Sequence, residues 1–331
     1  MRQNEIIAAL GIRPAEYGDL HVLRSFSSFV AVSEGRVIAL TDPWMRHCPL
    51  FEMLQGRADT AGVDELRARI REAVEDKIAR FGMFTARRQL IRSDVAVPYG
   101  ASEMMMYALR RGGLDAAVTV CDGAGTVVTA NPDLVQGIGA RMNGLFYTTP
   151  VPEVIEGIMR RGGTVASPQT AAVDQLAGLR LAASLGLRRI AVTVNGFLDE
   201  PLDCYGAAAQ ELGVTVVLIV VCTTGVTDER AAEIAACADL VWSCGSGPVR
   251  ERAGVEAILQ IALTIPVFVM TRTGLEFAAC YATPPEAVRD LDQDRQHVIA
   301  TRIQGTPVHM VPGDAFLSAA RLPVRSANEP G

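Results

Sequence analysis

The feature that most constrains the fold is a regular alternation of short apolar runs and helical segments that starts near residue 96. It predicts strands at 114–121, 163–166, 188–194, 214–222, 239–243 and 265–270. Helical segments lie between them at about 101–111, 151–161, 170–185, 201–212, 227–236 and 248–262. Several strands are continuously apolar, which is typical of a parallel sheet covered on both faces. The pattern predicts an α/β protein with a doubly wound, mostly parallel sheet.

The first 95 residues follow a different pattern. Two apolar runs, SFVAV and RVIAL, flank Glu34-Gly35 and predict a β-hairpin within residues 20–42. Four apolar residues then recur at helical spacing, which predicts a helix over 62–81: Leu66, Ile70, Val74 and Ile78. We therefore expect an N-terminal hairpin and helix appendage at 1–95 and an α/β core domain at 96–282. A C-terminal extension at 283–331 is expected to contain a strand at 306–311 and a disordered tail.

Charge and hydropathy exclude several classes of protein. The formal net charge is −6 and no basic stripe is present, so a general nucleic-acid binder is not expected. The most apolar stretch, VTVVLIVV at 214–221, is far too short to cross a bilayer, and no membrane association is expected. Seven cysteines occur without a signal peptide, which indicates free thiols in a cytoplasmic protein.

Lysine chemistry is not expected either. Lys77 is the single lysine among the 31 lysine and arginine residues, a bias that a GC-rich genome explains as well as function does. It lies in the charged stretch DELRARIREAVEDKIARFG, where we expect an exposed side chain. Because a Schiff base would depend on this one residue, lysine-based covalent catalysis is not expected.

The candidate site lies at the predicted strand ends. Three strands end in a cysteine followed by glycines and hydroxyl residues, in the motifs CDGAG at 121–125, CTTG at 222–225 and CGSG at 244–247. Ligands bind outside the carboxyl ends of strands in open α/β sheets, and a following helix N-terminus lowers the pKa of a thiol. The candidate catalytic residues are Cys121, Asp122 and Cys222. The candidate ligand-binding residues are Gly123, Gly125, Thr126, Asn195, Thr223, Thr224, Gly245, Ser246 and Gly247.

Each of these residues also has a structural interpretation. Cysteine is often an apolar filler at the end of a strand, and Asp122 fits a turn or a helix cap. Core packing is the better explanation for three cysteines in helical segments: Cys204, Cys237 and Cys280. Cys48, beside His47 in a predicted loop, fits either packing or a further sulfur ligand. Three arginines near the strand ends could clamp an anion: Arg141, Arg250 and Arg272.

The cofactor signals are weak. No GxxxxGK[ST] motif occurs and GAGTVV at 123–128 lacks the third glycine of a dinucleotide site, so neither ATP nor NAD is expected. No CxxC or HExxH motif occurs, so a metal site would need cysteines from distant loops. The Met-rich segment at 102–109 is typical of core packing or of a subunit interface, and a homo-oligomer is one expectation.

Three segments carry a family resemblance: KIARFGMFTARR at 77–88, VPYGASEMMMYAL at 97–109 and CDGAGTVVTANPDLVQGIGARMNGLFYTTP at 121–150. They resemble the methanogenesis marker protein 8 family, and the similarity extends over about 47–274. The resemblance implies an anaerobic, metal- or sulfur-related setting, such as the maturation of a cofactor. It points to Cys48, Cys121 and Cys244 as the positions that match the cysteine motifs of the family.

Three functions follow as alternatives. The first is an accessory or cofactor-maturation protein that binds a transition metal or an iron–sulfur cluster through Cys48, Cys121 and Cys244. The second is a thiol-dependent enzyme of the isomerase, lyase or transferase type, in which Cys121 and Cys222 act on a small molecule as nucleophile or as acid and base. The third is a ligand-sensing module that uses the same crevice.

Overall fold

The computed structural model describes residues 1–45, 61–142 and 144–325. The predicted ligand Cys48, its neighbour His47 and the predicted disordered end of the tail at 326–331 lie outside the described residues. The described parts of the chain contain sixteen strands in two sheets and eleven α-helices.

The strands are numbered in chain order. The first eight are β1 (His21–Ser25), β2 (Ser28–Ser33), β3 (Arg36–Leu40), β4 (Ala116–Cys121), β5 (Gly125–Thr129), β6 (Leu145–Thr148), β7 (Thr164–Val165) and β8 (Arg189–Asn195). The others are β9 (Thr215–Val221), β10 (Leu240–Trp242), β11 (Leu259–Ile261), β12 (Val267–Val269), β13 (Ala282–Thr283), β14 (His297–Ala300), β15 (Thr306–Met310) and β16 (Gly313–Ala319).

The helices alternate with the strands through the middle of the chain. The first six are α1 (Gln3–Ala9), α2 (Val63–Phe81), α3 (Ala101–Arg110), α4 (Pro132–Gly139), α5 (Pro152–Met159) and α6 (Gln175–Ser184). The others are α7 (Asp203–Leu212), α8 (Asp228–Cys237), α9 (Gly247–Glu256), α10 (Arg272–Ala279) and α11 (Glu286–Arg289). Among the described helices, none has both the length and the apolar composition that crossing a bilayer needs.

The smaller sheet has the strand order β3-β2-β1-β6, and all its pairs are antiparallel. Glu34 and Gly35 turn the chain between β2 and β3 with φ values of 50° and 69°, which confirms the predicted hairpin. Helix α2 lies against β3 and buries all four residues of the predicted apolar stripe, so the predicted helix at 62–81 is confirmed.

The larger sheet has twelve strands in the order β13-β15-β16-β14-β11-β12-β10-β9-β8-β4-β5-β7. Its centre, β10-β9-β8-β4, is parallel, and so is the pair β11-β14. All other pairs are antiparallel, so the prediction of a mostly parallel, doubly wound sheet is wrong, although the α/β class holds. The cause is the connections: β5 follows β4 through a tight turn, and β14, β15 and β16 follow one another through short loops, whereas a parallel pair needs a long crossover.

The central elements lie where the sequence predicts them. Each predicted strand from 114–121 to 265–270 overlaps an observed strand, and each predicted helix from 101–111 to 248–262 overlaps an observed helix. The predicted helix at 248–262 ends at Glu256, because Leu259–Ile261 forms β11 instead. Strand β6 joins the N-terminal sheet, and the C-terminal strands join the large sheet. The division into units at residues 95 and 282 stays a prediction.

Candidate functional site

A cavity of about 440 Å³ lies at the carboxyl ends of the parallel strands β8, β9 and β10. Asn195 ends β8, Cys222 follows β9, and Cys244 lies two residues beyond β10. Helix α2, helix α3 and the end of β1 complete the wall. This is the edge at which open α/β sheets bind ligands, and the volume suits a metabolite-sized molecule.

Strained backbone is concentrated at this cavity. Among the described residues, nine non-glycine residues have positive φ, the region that disfavours side chains. Five of the nine line the cavity: Phe26, Tyr99, Arg141, Cys222 (φ 60°) and Cys244 (φ 29°). Because strain of this kind persists at sites whose geometry serves a function, the clustering marks the cavity as the candidate functional site.

Cys222 lies beside a buried arginine. The Arg24 guanidinium and the backbone of Gly144 lie near the thiol and favour the thiolate. Burial outweighs them, so the pKa of Cys222 is raised. The prediction that strand-end thiols have lowered pKa values is therefore wrong for Cys222. At neutral pH the resting cavity holds a protonated thiol, which suits it to donate a proton.

Gly144 gives Cys222 and Asn195 the space they occupy. A β-carbon on Gly144 would lie 2.9 Å from Asn195 Nδ2 and 3.2 Å from Cys222 Sγ. The Gly144 carbonyl also accepts a 2.8 Å hydrogen bond from the backbone N–H of Arg24. A glycine here lets the backbone come close to the thiol and the amide.

The wall of the cavity carries an excess of positive charge. Four basic residues line it, Arg24, Lys77, Arg80 and Arg141, against two acidic residues, Asp76 and Glu103. The Glu103 carboxylate is already hydrogen-bonded within the protein. It accepts hydrogen bonds from two backbone N–H groups, from a hydroxyl and from a side-chain amide: Ala96, Val97, Ser102 and Gln136. Asp76 pairs with Arg80 at 3.1 Å. The remaining charge favours an anionic ligand.

Two buried donors at the cavity have no acceptor within the described part of the chain. They are Arg141 Nε and Asn195 Nδ2. The Arg141 guanidinium also lies 5.2 Å from the centroid of the Phe81 ring. Burying a polar donor without a partner costs free energy, so both groups are suited to bind a ligand oxygen. Of the arginines predicted to clamp an anion, Arg141 lines this cavity, whereas Arg272 pairs with Glu276.

The position of Lys77 differs most clearly from the one expected from the sequence. Its side chain is half-buried and lines the cavity, so the prediction of an exposed lysine is wrong. Burial and the nearby Arg141 lower its pKa to about 8, and Asp76 offsets part of this effect. The charged sequence around Lys77 does not reveal this position, because α2 presents charged residues both to solvent and to the cavity.

Cys121 and Asp122 lie outside the cavity. Cys121 is fully buried in an apolar cluster with Leu134 and Ile138 of α4, and burial raises its pKa far above the usual value for a thiol. No helix begins after it, because Gly123 and Gly125 turn the chain directly into β5. The expected helix dipole and the lowered thiol pKa are therefore wrong for Cys121.

The Asp122 carboxylate forms a buried ion pair with Arg88, with a distance of 2.9 Å from Oδ1 to Nε. It also accepts the backbone N–H of Phe84, and Arg88 donates to the carbonyl oxygens of Gln89 and Ile138. The pair joins the segment after α2 to the β4–β5 turn. This supports the structural interpretation of Asp122.

The two predicted glycines of the CDGAG motif and the following Thr126 also stabilise the turn. The Gly123 N–H donates to the Thr148 hydroxyl at 2.8 Å, and Gly125 packs against the backbone of Ala171. The Thr126 hydroxyl donates to Gln175 Oε1 and accepts the N–H of Asp174, both at 2.8 Å. The cavity does not include these three residues.

The CTTG and CGSG motifs meet at the cavity edge. Thr224 lines the cavity and its hydroxyl accepts the Gly245 N–H, whereas the buried Thr223 donates to the carbonyl oxygen of Trp242 at 2.7 Å. Ser246 caps helix α9, which begins at Gly247. The structure thus brings Asn195, Cys222, Thr224 and Cys244 together, and the rest of the set supports the loops.

A second cavity, of about 330 Å³, lies at the opposite end of the parallel strands and includes Cys280. Two of its arginines already form ion pairs, Arg189 with Asp115 and Arg289 with Glu286. The first cavity has the stronger claim to an anionic ligand, because Arg141 Nε and Asn195 Nδ2 there have no acceptor among the described residues. Cys204 and Cys237 are each partly buried on the helices where the sequence places them.

The fold and site define a mixed α/β protein with a positively charged, thiol-lined cavity at the ends of parallel strands. The chain belongs to the family described as "Uncharacterized protein conserved in archaea (DUF2099)", which matches residues 21–281. It is 38% identical over 277 residues to "Uncharacterized protein MJ0054" of Methanocaldococcus jannaschii, which covers 83% of this chain and 92% of that protein. No solved structure matches the chain.

Proposed function

We propose that the protein is a thiol-dependent enzyme that acts on a small organic anion in the cavity at the ends of β8, β9 and β10. One observation carries the proposal: Cys222 and Cys244 both adopt strained, left-handed backbone and both line a cavity with excess positive charge. The reaction type is that of an isomerase, lyase or transferase, in which the thiols transfer protons or attack the substrate.

The thiol pair of this proposal differs from the one expected from the sequence. Cys222 keeps its role, and Cys244 takes the place of Cys121, which is sealed in the apolar cluster below α4. Arg141 and Asn195 bind the anion through the donors that have no acceptor among the described residues. Arg24 favours the negatively charged form of Cys222 when a proton leaves.

Charge-selective alkylation tests this function. Iodoacetate and iodoacetamide differ in charge, so the ratio of their rates at a thiol reports the local potential. The ratio at Cys222 should exceed that at Cys204 by about tenfold, because Asp203 and Glu200 lie near Cys204 and raise its pKa. Peptide mapping by mass spectrometry gives both rates in one protein sample. Equal ratios at the two thiols would contradict the proposal, and Arg141→Gln should lower the ratio at Cys222 alone.

The metal or iron–sulfur function is supported less well. The described residues hold no group of three His, Cys, Asp or Glu side chains that could bind a metal ion. Cys121 does not fit such a group, because it is buried among Leu134, Ile138 and Leu90. Cys48 lies outside the described residues, so its part in the predicted ligand set stays a prediction. Anaerobic purification followed by metal analysis and a visible absorption spectrum tests it.

Two further assignments belong to the proposal. We propose kinship with the methanogenesis marker protein 8 family, which the 38% identity to a protein of Methanocaldococcus jannaschii supports. We also propose a cytoplasmic location, which the free cysteines of the described chain support. A ligand-sensing module would use the same cavity without turnover, and the alkylation test does not separate it from an enzyme. Product formation from a bound anion does.

A further inference from the structure

We propose that Lys77 forms an imine with the carbonyl group of a small 2-oxo acid held in the cavity. The inference rests on the proposed function, since it places the substrate in the same cavity and names its chemical class. It assigns a covalent role to the single lysine of the chain.

Composition gives the first argument. Lys77 is the single lysine among 31 lysine and arginine residues, and it lines the cavity. At a position that needed positive charge alone, arginine would serve, as it does elsewhere in this chain. Arginine stays protonated and is not a nucleophile, whereas a lysine amine can lose its proton and attack a carbonyl carbon. The one lysine of this chain thus lies at a cavity, where its distinct chemistry can act on a ligand.

The position of Lys77 on α2 gives the second argument. Ala73, Lys77, Arg80 and Phe81 line the cavity, and the last three lie four, seven and eight residues after Ala73, so they form one face of the helix. The buried stripe of α2, which includes Val74 and Ile78, forms another face. The helix axis is held by that stripe, so the amine is presented to the cavity from a rigid element.

The neighbours of Lys77 fit a 2-oxo acid. Arg141 lies close enough to repel the Lys77 ammonium, and its buried Nε has no acceptor among the described residues. A carboxylate bound to Arg141 would place the adjacent carbonyl carbon near the amine. Cys222, whose thiol is protonated at neutral pH, lines the same cavity and could exchange protons with carbons next to the imine.

The covalent step balances without a redox partner. The lone pair of the neutral Lys77 amine forms a bond to the carbonyl carbon, and the π electrons of the carbonyl move to its oxygen. The nitrogen then forms a second bond to carbon while the carbon–oxygen bond breaks. The oxygen leaves as water with the two hydrogens of the amine. The imine, once protonated, withdraws electrons from the neighbouring carbon.

Reductive trapping tests the inference on the full chain. The protein is incubated with pyruvate and sodium cyanoborohydride at pH 8, and modified residues are found by peptide mapping. Lys77 should be modified about tenfold faster than the amino group of Met1, because the cavity concentrates the anion. Acetone, a neutral ketone, should show no such preference. Arg141→Gln raises the pKa of the amine and so slows both reagents, but it should lower the ratio of pyruvate to acetone trapping at Lys77, because pyruvate alone also loses its attraction to the guanidinium.

The controls separate the possible outcomes. Lys77→Arg keeps the charge of the cavity wall and should lose trapping at residue 77, with an unchanged circular dichroism spectrum. In the unmodified chain, modification of Met1 without modification of Lys77 overturns the imine. If that result appears while Cys222 still prefers iodoacetate, the imine alone fails and the proposed function stands. If Cys222 shows no preference as well, both fail.

Discussion

The guanidinium of Arg24 donates a 2.7 Å hydrogen bond to the carbonyl oxygen of Thr224, two hundred residues further along the chain. The bond joins β1 of the small sheet to the loop that carries Cys222, and both residues are buried. The guanidinium also lies 5.2 Å from the centroid of the Phe197 ring. This side chain therefore links the two sheets where the cavity is formed.

Arg24→Gln should loosen this junction. We expect a loss of about 1.5–3 kcal/mol in the free energy of unfolding, since a buried hydrogen bond to a charged group is removed. Alkylation of Cys222 should also slow, because the positive charge that favours its thiolate is gone. Urea unfolding and iodoacetamide kinetics measure the two effects. Arg36→Gln, at an exposed position of β3, is the matched control and should change neither.

Gly144→Ala tests the close approach of the backbone to the thiol. The new β-carbon would lie 2.9 Å from Asn195 Nδ2 and 3.2 Å from Cys222 Sγ, so these side chains must move. We expect slower alkylation of Cys222. Gly206→Ala on α7 meets no atom within 4 Å and should stabilise the protein by about 0.5–1 kcal/mol. Identical thiol kinetics in the two variants would show that Gly144 does not shape the site.

The strained backbone at Cys222 predicts that glycine is more stable than alanine at this position, the reverse of the usual order. Glycine in regular structure is usually less stable than alanine by about 0.5–1 kcal/mol, but left-handed backbone costs a residue with a β-carbon about 1–2 kcal/mol. With φ at 60°, Cys222→Gly should therefore be more stable than Cys222→Ala. Ala207→Gly, at an exposed position within α7, should show the ordinary destabilisation. Thermal unfolding of the three variants decides the sign.

The positions of the helices and strands could be predicted from the sequence more accurately than the pairing of the strands. The α2 stripe and the central strands follow from local periodicity, which a single segment carries. The hairpin turn after Cys121 could not be predicted in this way, because a cysteine followed by glycines fits a strand-to-helix loop equally well. In the structure, Gly123 and Gly125 have positive φ and form a hairpin between β4 and β5. Whether a strand pairs parallel or antiparallel depends on partners far away in the chain.

Only the part of the candidate site that lies at the strand ends could be predicted from the sequence. The strand-end rule found Asn195, Cys222 and Cys244, because the ends of parallel neighbours meet wherever the sheet is parallel. It did not find Arg24 or Lys77, which reach the cavity from the small sheet and from α2. The rarity of lysine was a local signal for Lys77, although it has a genomic explanation as well, and Arg24 carried no such signal.

Asp122→Asn separates a structural from a catalytic aspartate. The substitution leaves Arg88 buried without its counter-charge, so we expect a loss of about 3–5 kcal/mol in the free energy of unfolding. A catalytic role alone would leave stability nearly unchanged. Glu211→Gln, which breaks an exposed pair with Arg180, should have little effect and serves as the control. Denaturant unfolding of both variants distinguishes the two roles.

The lowered pKa of Lys77 makes stability depend on pH with a definite sign. The folded protein releases this proton near pH 8, whereas the unfolded chain releases it at about 10.5. Between these values the unfolded state binds more protons, so the free energy of unfolding rises with pH through this group. Below pH 8 the charged lysine destabilises the fold at its full extent. Because Lys77 is only half-buried, we expect a total gain of about 1–3 kcal/mol.

Lys77→Met removes this group and should remove its share of the pH dependence. The free energy of unfolding of both proteins is measured at intervals from pH 7 to pH 11. The difference between the two proteins cancels the titration of the tyrosines and cysteines, which both contain. The difference should change between about pH 8 and 10.5, with the unmodified protein gaining relative to the variant as the pH rises. A flat difference would show that Lys77 titrates alike in both states, and its amine would then be protonated at the pH where the imine is proposed to form.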